Sequence, residues 1–152
     1  MSRPPETAGR SGNVGVSHGA WGEDVAAEFL RRCGYVIVER NARPVTADAR
    51  LEIDIVAYDR QLDTMAFVEV KQHRAHTPWE RRLRSVDRRK KALLLRSCNA
   101  WRWRNGWRGN VRLDVIEVYG EPDRERAEVD HVIDVPLFVR GERAVRWQAA
   151  DD

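Results

Sequence analysis

Leu51-Glu52-Ile53-Asp54-Ile55-Val56-Ala57 and, shortly after it, Met65-Ala66-Phe67-Val68-Glu69-Val70-Lys71 are two apolar runs broken by charge. Each is short and rich in β-branched or aromatic residues, the pattern of a strand. Successive strand side chains point to opposite faces, so Glu52 and Asp54 share one face, as do Glu69 and Lys71. The connection Asp59-Arg60-Gln61-Leu62-Asp63-Thr64 is polar and short enough for a hairpin. An antiparallel register that sets Asp54 opposite Glu69 also sets Glu52 opposite Lys71. Three carboxylates and one ammonium would then converge on one face of a sheet. Charges there are costly unless paired or bound to a metal. Such a constellation suits divalent-metal chemistry on phosphodiesters.

Outward from this hairpin the chain alternates helix and strand. Trp21, Val25 and Phe29 recur at helical spacing, widened by Ala26, Leu30 and Cys33, which predicts a helix over 19–33 stopped by Gly34. Tyr35 to Arg40 reads as a strand, and Asn41 to Ala49, with Pro44, as a turn region. His73 to Pro78 reads as a loop. From Trp79 a long basic helix is expected, with Leu83, Val86, Lys90 and Leu93/Leu94 on its inner side and an end by Asn105-Gly106. Val111 to Tyr119 alternates as a strand, and a polar insert (Asp123 to Asp130) leads into a short apolar piece, His131 to Val139. The order α-β-β-β-α-β predicts an α/β fold, a mixed sheet flanked by helices. The expected organisation is a disordered leader over 1–17, a domain over 18–120, an extension over 121–147 packing on it, and a tail over 148–152.

The 152 residues suffice for one domain with a substantial core. No apolar run approaches the ~20 residues of a membrane helix, and Met1 to Ser17 lacks the apolar stretch of a secretory signal. Cys33 and Cys98 have no metal-ligand or disulfide spacing and read as reduced cysteines of a cytoplasmic protein. Net charge is only +3 but is unevenly spread. Lys71 to Arg108 holds thirteen Lys or Arg against Glu80 and Asp87, a local +11 that leaves −8 for the remainder. That segregation points to a polyanionic partner.

These runs, in this order, resemble the PD-(D/E)xK superfamily of phosphodiesterases with a restriction-endonuclease-like fold. Within it the chain resembles the YraN-like family, which is similar to archaeal Holliday-junction resolvases. The resemblance rests on His18-Gly19-x-x-Gly22-Glu23, Gly34-Tyr35, Arg40-Asn41, Glu52-Ile53-Asp54, Phe67-Val68-Glu69-Val70-Lys71, Lys90 and Arg112-Leu113-Asp114-Val115. It departs at Leu51, where the family usually has glycine, and at His73, where it often has arginine. The resemblance implies that Asp54 and Glu69 ligate Mg²⁺ or Mn²⁺, that Lys71 is the catalytic lysine, and that Glu23 contributes to the metal site. It implies a nuclease acting on DNA rather than RNA, on branched or single-stranded intermediates. A resolvase-like role would favour a two-fold homodimer.

Mg²⁺ prefers hard oxygen ligands and takes only one or two protein carboxylates, which Asp54 and Glu69 supply. Lys71 could orient the attacking water, offset transition-state charge or act as a base; these roles stay open. Glu23 could equally serve the dipole of its helix. Glu52 reads as a salt-bridge partner of Lys71 or an outer-shell residue. Arg74, Arg81, Arg82, Arg84, Arg88, Arg89, Lys90 and Lys91 form the candidate nucleic-acid surface, since almost no acidic residue stands four positions away to neutralise them. Trp101, Trp103 and Trp107 read first as core and helix end, alternatively as a base-stacking rim. His73, His76 and His131 read as loop or surface histidines, and Asp114 as a strand stabiliser. Two functions remain open: a metal-dependent endonuclease, and a non-catalytic nucleic-acid-binding module that keeps the fold. A protein-interaction scaffold is a third.

Overall fold

The structure, a computed structural model, describes residues 18–74, 88–123 and 126–137. The order of elements is α1 (His18–Arg32), β1 (Val36–Ala42), β2 (Ile53–Asp59), β3 (Thr64–His73), α2 (Arg88–Asn105), β4 (Asn110–Tyr119) and β5 (Glu128–Val135). The expected α/β core is present, with one strand added. The expected leader, Arg81, Arg82, Arg84, His76 and the chain beyond Leu137 lie outside the described residues.

Five strands form one sheet in the order β1-β2-β3-β4-β5. Neighbours are antiparallel except β3 and β4, which run parallel. A parallel pair needs a crossover connection, and α2 lies within it. The two faces carry separate cores. Ala26, Ala27 and Leu30 of α1 pack on Ile55, Ala57, Ala66, Val68, Ile116 and Val118. Leu94, Cys98 and Trp101 of α2 pack on Val56, Met65, Phe67, Leu113 and Val115. Residues alternate between these cores along β3 and β4, as the pleat demands.

Both helices end on a glycine with positive φ, Gly34 at 90° and Gly106 at 61°. At α1 the Tyr35 amide donates to the Leu30 carbonyl and that of Gly34 to the Arg31 carbonyl. Trp107 and Gly106 repeat the pattern on Arg102 and Trp103. These bonds satisfy carbonyls that a helix end leaves without partners, and glycine enters the left-handed region without a Cβ penalty.

Several expectations are corrected. β3 continues through Gln72 and His73, because its parallel pairing with β4 extends to His73 opposite Tyr119. The stretch expected as a polar insert and short apolar piece contains β5, which pairs with β4 from Leu113 to Tyr119. Its alternation is weak because it is an edge strand, mostly half-buried and polar on both faces. His73 and His131 therefore stand on strands.

Candidate metal centre

The hairpin register pairs Ile55 with Val68 and Val56 with Phe67. Continued by one residue it brings Asp54 against Glu69, as the alternation of charge predicts. The two lie on the α2 face, beyond the apolar pairs of that core. The Asp54 carboxylate accepts a hydrogen bond from the Val70 amide (Oδ2, 2.8 Å), which fixes it against β3. Burial first, then the charge of Glu69, pushes the Asp54 pKa up to about 7, against the lowering effect of that amide and of Lys90. A second carboxylate nearby and few waters both disfavour the ionised form.

Glu69 is only 4% exposed. Its Oε1 meets two ammonium groups, Lys71 Nζ at 3.2 Å and Lys90 Nζ at 3.3 Å. Its Oε2 is buried with no hydrogen-bond partner among the described residues. Lys71 neighbours Glu69 by strand alternation, whereas Lys90 reaches it from the first turn of α2. Lys90 therefore belongs to the carboxylate site rather than to an outer basic surface. Its signal was present in the sequence: a lysine on the otherwise apolar side of the helix.

Glu23 approaches from α1. Its carboxyl is bonded to the Asn41 side chain and lies 3.9 Å from Arg40. Burial raises its pKa and outweighs these two partners, with Glu52 and Asp24 adding repulsion. Asn41 holds a positive φ of 49° at the end of β1. The turn that carries Glu23 is anchored by a bond from the Gly22 amide to Gln72 Oε1 (3.1 Å). A Cβ on Gly22 would lie 2.7 Å from that oxygen, so any larger residue would displace the Gln72 amide group from this bond.

Glu52 pairs with Arg43 (3.1 Å) instead of Lys71. It stands just before β2, where β1–β2 pairing ends at Ala42 and Ile53, so the exposed Arg43 beyond β1 is within its reach. Lys71 turns to Glu69, two residues away on its own strand. Among the described members of the basic set, Arg88 and Arg89 are exposed, Lys91 is half-buried, and Arg74 is exposed with Glu121 at 3.7 Å. The tryptophans divide. Trp101 is buried, edge-on to Phe67 and bonded to Glu39; Trp107 packs edge-on to Tyr58; Trp103 is 88% exposed.

Sequence reasoning passed over one neighbour of the site. Glu117 lies beside Lys71 in the β3–β4 register and is buried. It accepts a bond from the Tyr119 hydroxyl (2.8 Å) and has His73 Nε2 at 3.5 Å, with the His73 ring stacked on Tyr119. A glutamate following Val111, Leu113 and Val115 at strand spacing was the available signal. A cavity of about 540 Å³ lies elsewhere, at the start of β3 and β4 against Thr64, Arg102, Asn110 and Arg112. It has no part in this constellation.

The donor set fits a hard divalent cation. Two adjoining carboxylates offer oxygen ligands, one buried oxygen of Glu69 has no hydrogen-bond partner among the described residues, and burial, with repulsion from Glu69, holds the Asp54 pKa high. Among the described residues no group of three or more His, Cys, Asp or Glu is arranged to enclose an ion. A Mg²⁺ site completed by water and substrate oxygens does not need one. No helix among the described residues is long and apolar enough to cross a membrane.

Residues 22–118 match the family described as Uncharacterised protein family UPF0102. That span runs from the anchoring glycine of α1 to the end of β4 and includes every carboxylate and lysine of the site. The chain is 31% identical to a UPF0102 protein of Cytophaga hutchinsonii over 106 residues, covering 70% of this chain and 88% of the relative. It is 37% identical to one from Syntrophotalea carbinolica (76% and 88% covered) and 38% identical to one from Desulfosudis oleivorans (71% and 83% covered). With the match spanning the helix, the hairpin and the crossover that build the site, the chain belongs to the UPF0102 family.

Proposed function

We propose that the protein is a metal-dependent endonuclease that hydrolyses phosphodiester bonds in DNA, with Mg²⁺ or Mn²⁺ held by Asp54 and Glu69 and assisted by Glu23. The observation that carries this reading is the buried Glu69 carboxylate: two lysines crowd one oxygen while the other has no partner among the described residues, beside an aspartate whose pKa burial and repulsion raise to about 7. A purely structural carboxylate would be expected to have both oxygens satisfied. The bound ion would supply Lewis-acid polarisation of the phosphate and an acidified water. Lys71, 26% exposed and fixed by Glu69, presents its ammonium at the rim, where it can orient a water or offset charge on the phosphate. The Val70 amide keeps the Asp54 carboxylate turned toward β3. Arg88, Arg89 and Lys91 at the start of α2 supply sequence-independent phosphate contacts, with Arg74, Arg81, Arg82 and Arg84 on the segment before it.

The test is cleavage of a panel of duplex, forked, junction and single-stranded DNAs in Mg²⁺ and Mn²⁺, repeated with Asp54→Ala and Lys71→Ala. Cleavage by the wild type and its loss in both variants is expected. Cleavage untouched by both substitutions would remove the site assignment. DNA binding that persists in EDTA with no cleavage of any substrate would establish the binding-module alternative instead.

A further inference from the structure

We infer that Lys90 is a counter-ion competing with the divalent cation for Glu69, which it releases when that cation binds; this rests on the proposed metal site. Glu69 Oε1 has both ammonium groups within salt-bridge distance. One buried carboxylate does not need two cations, and a divalent ion brought to it would face both.

The two lysines reach Glu69 from different layers and with different exposure. Lys71 stands two residues from Glu69 on the same strand and the same face, and β4 flanks it at Glu117. Strand alternation holds its attachment point beside that of Glu69, about 7 Å away along β3. Lys90 comes from another layer, the first turn of α2, and its side chain is 39% exposed against 26% for Lys71. Its four-carbon stem lets the ammonium leave Glu69 by a change of side-chain rotamer. Arg88 and Arg89, both exposed, precede it on the same turn, so a released Lys90 joins a cationic rim.

Lys90 thus has two positions with one purpose each. Held on Glu69, it adds to Lys71 in offsetting the desolvation of a buried carboxylate. Turned outward, it is one more cation available to a phosphate. The substrate surface would gain that charge only in the ion-loaded protein, which ties phosphate binding to metal occupancy.

The experiment is Mn²⁺ binding to the substrate-free protein, followed by the electron paramagnetic resonance of free Mn²⁺. A charge removed several ångströms from a divalent ion changes affinity by about tenfold or more. Lys90→Gln and Lys90→Ala are therefore expected to bind Mn²⁺ at least about tenfold more tightly than wild type. Arg96→Gln removes the same charge from an exposed position on the same helix and is expected to change it by less than about twofold. In a Mg²⁺ titration followed by lysine side-chain NMR, the Lys90 ε-methylene signal is expected to move toward that of a solvated lysine. If the wild type binds Mn²⁺ through Glu69 and both Lys90 variants bind it equally or more weakly, Lys90 assists rather than competes, and the inference is overturned alone. If wild type and Glu69→Gln are indistinguishable in Mn²⁺ binding, the metal site itself is overturned and the inference goes with it.

Discussion

The two faces of the sheet each bury carboxylates, and they treat them in opposite ways. On the α1 face Asp114 is fully buried and receives Arg112 Nε (2.9 Å) and Nη2 (3.1 Å), His131 Nε2 (2.9 Å) and the Asp134 amide (3.0 Å). Arg112 also donates to Asp59 (2.9 Å) and to the Tyr35 hydroxyl (2.8 Å). Burial alone would raise the pKa of Asp114 and Asp59, but these bonds outweigh it and hold both below the usual carboxylate value. On the α2 face burial and Glu69 prevail over the Val70 amide and the Lys90 charge, and the pKa of Asp54 rises. A satisfied network braces the β4–β5 edge and the start of the hairpin turn. An under-satisfied pair is costly to keep, and such groups cluster at functional sites. The difference separates a structural brace from the pair we propose as the metal site.

The largest effect that would sharpen this contrast is on chemistry. Asp54→Asn and Lys71→Ala are each expected to lower DNA cleavage by about a thousandfold or more while leaving the circular dichroism spectrum intact. Asp114→Asn should lower cleavage only as far as it lowers the folded fraction. If Asp114→Asn abolished cleavage in a fully folded protein, the division between the two faces would be wrong.

Next in size is the brace. Arg112→Met leaves Asp114 and Asp59 buried without their cation, and a loss of about 3–5 kcal/mol in urea unfolding is expected. A loss below about 1 kcal/mol would mean that the network is redundant.

The ion-free site should show the reverse sign. Because the folded pKa of Asp54 is raised to about 7, its contribution is fully present below the unfolded pKa and is lost as pH rises through about 7. Asp54→Asn keeps an acceptor for the Val70 amide and removes the charge. In EDTA at pH 8 it is expected to be more stable than wild type by about 1–3 kcal/mol, a gain that fades toward pH 4. A variant less stable than wild type at pH 8 would show that the carboxylate is compensated after all.

The brace sets the acid limb. The pKa values of Asp59 and Asp114 are depressed, so the stability they contribute is present above the unfolded carboxylate pKa and is lost as pH falls through their folded values. Thermal scans from pH 5 to pH 2 should show a steep loss in wild type and a shallower one in Asp114→Asn. Parallel curves would contradict it. The smallest effect is expected at Glu52, which belongs to neither cluster. Glu52→Gln breaks only the partly exposed pair with Arg43, and stability should change by less than about 1 kcal/mol. Cleavage by this variant within about threefold of wild type would keep Glu52 outside the chemistry.

Much of this was legible along the chain because local rules apply where local forces dominate. The apolar stripe of α1, its glycine stop and the hairpin with its polar turn follow from periodicity and turn chemistry. The Asp54–Glu69 register was a condition of the reading, and the pairing of Ile55 with Val68 meets it. β5 was not legible because an edge strand buries too little apolar surface to alternate clearly. The end of β3 was misjudged because pairing with β4, a partner distant in sequence, keeps Gln72 and His73 extended. Glu52 was expected on Lys71 because alternation specifies a face but not which of two nearby cations a carboxylate meets.

The sequence by itself determined that Glu52 and Asp54 share one face of their strand and Glu69 and Lys71 one face of theirs, since strand periodicity leaves little choice, and the pairing of Ile55 with Val68 joins those faces. It also determined that a strongly cationic segment follows directly. Only the tertiary structure decided that α2 lays Lys90 on Glu69, that Gln72 holds α1 so that Glu23 faces the hairpin, and that Glu117 joins Lys71 across the parallel pair. Those placements depend on how a crossover helix and a distant strand pack on the sheet, and no local pattern encodes a contact between residues so far apart in the chain.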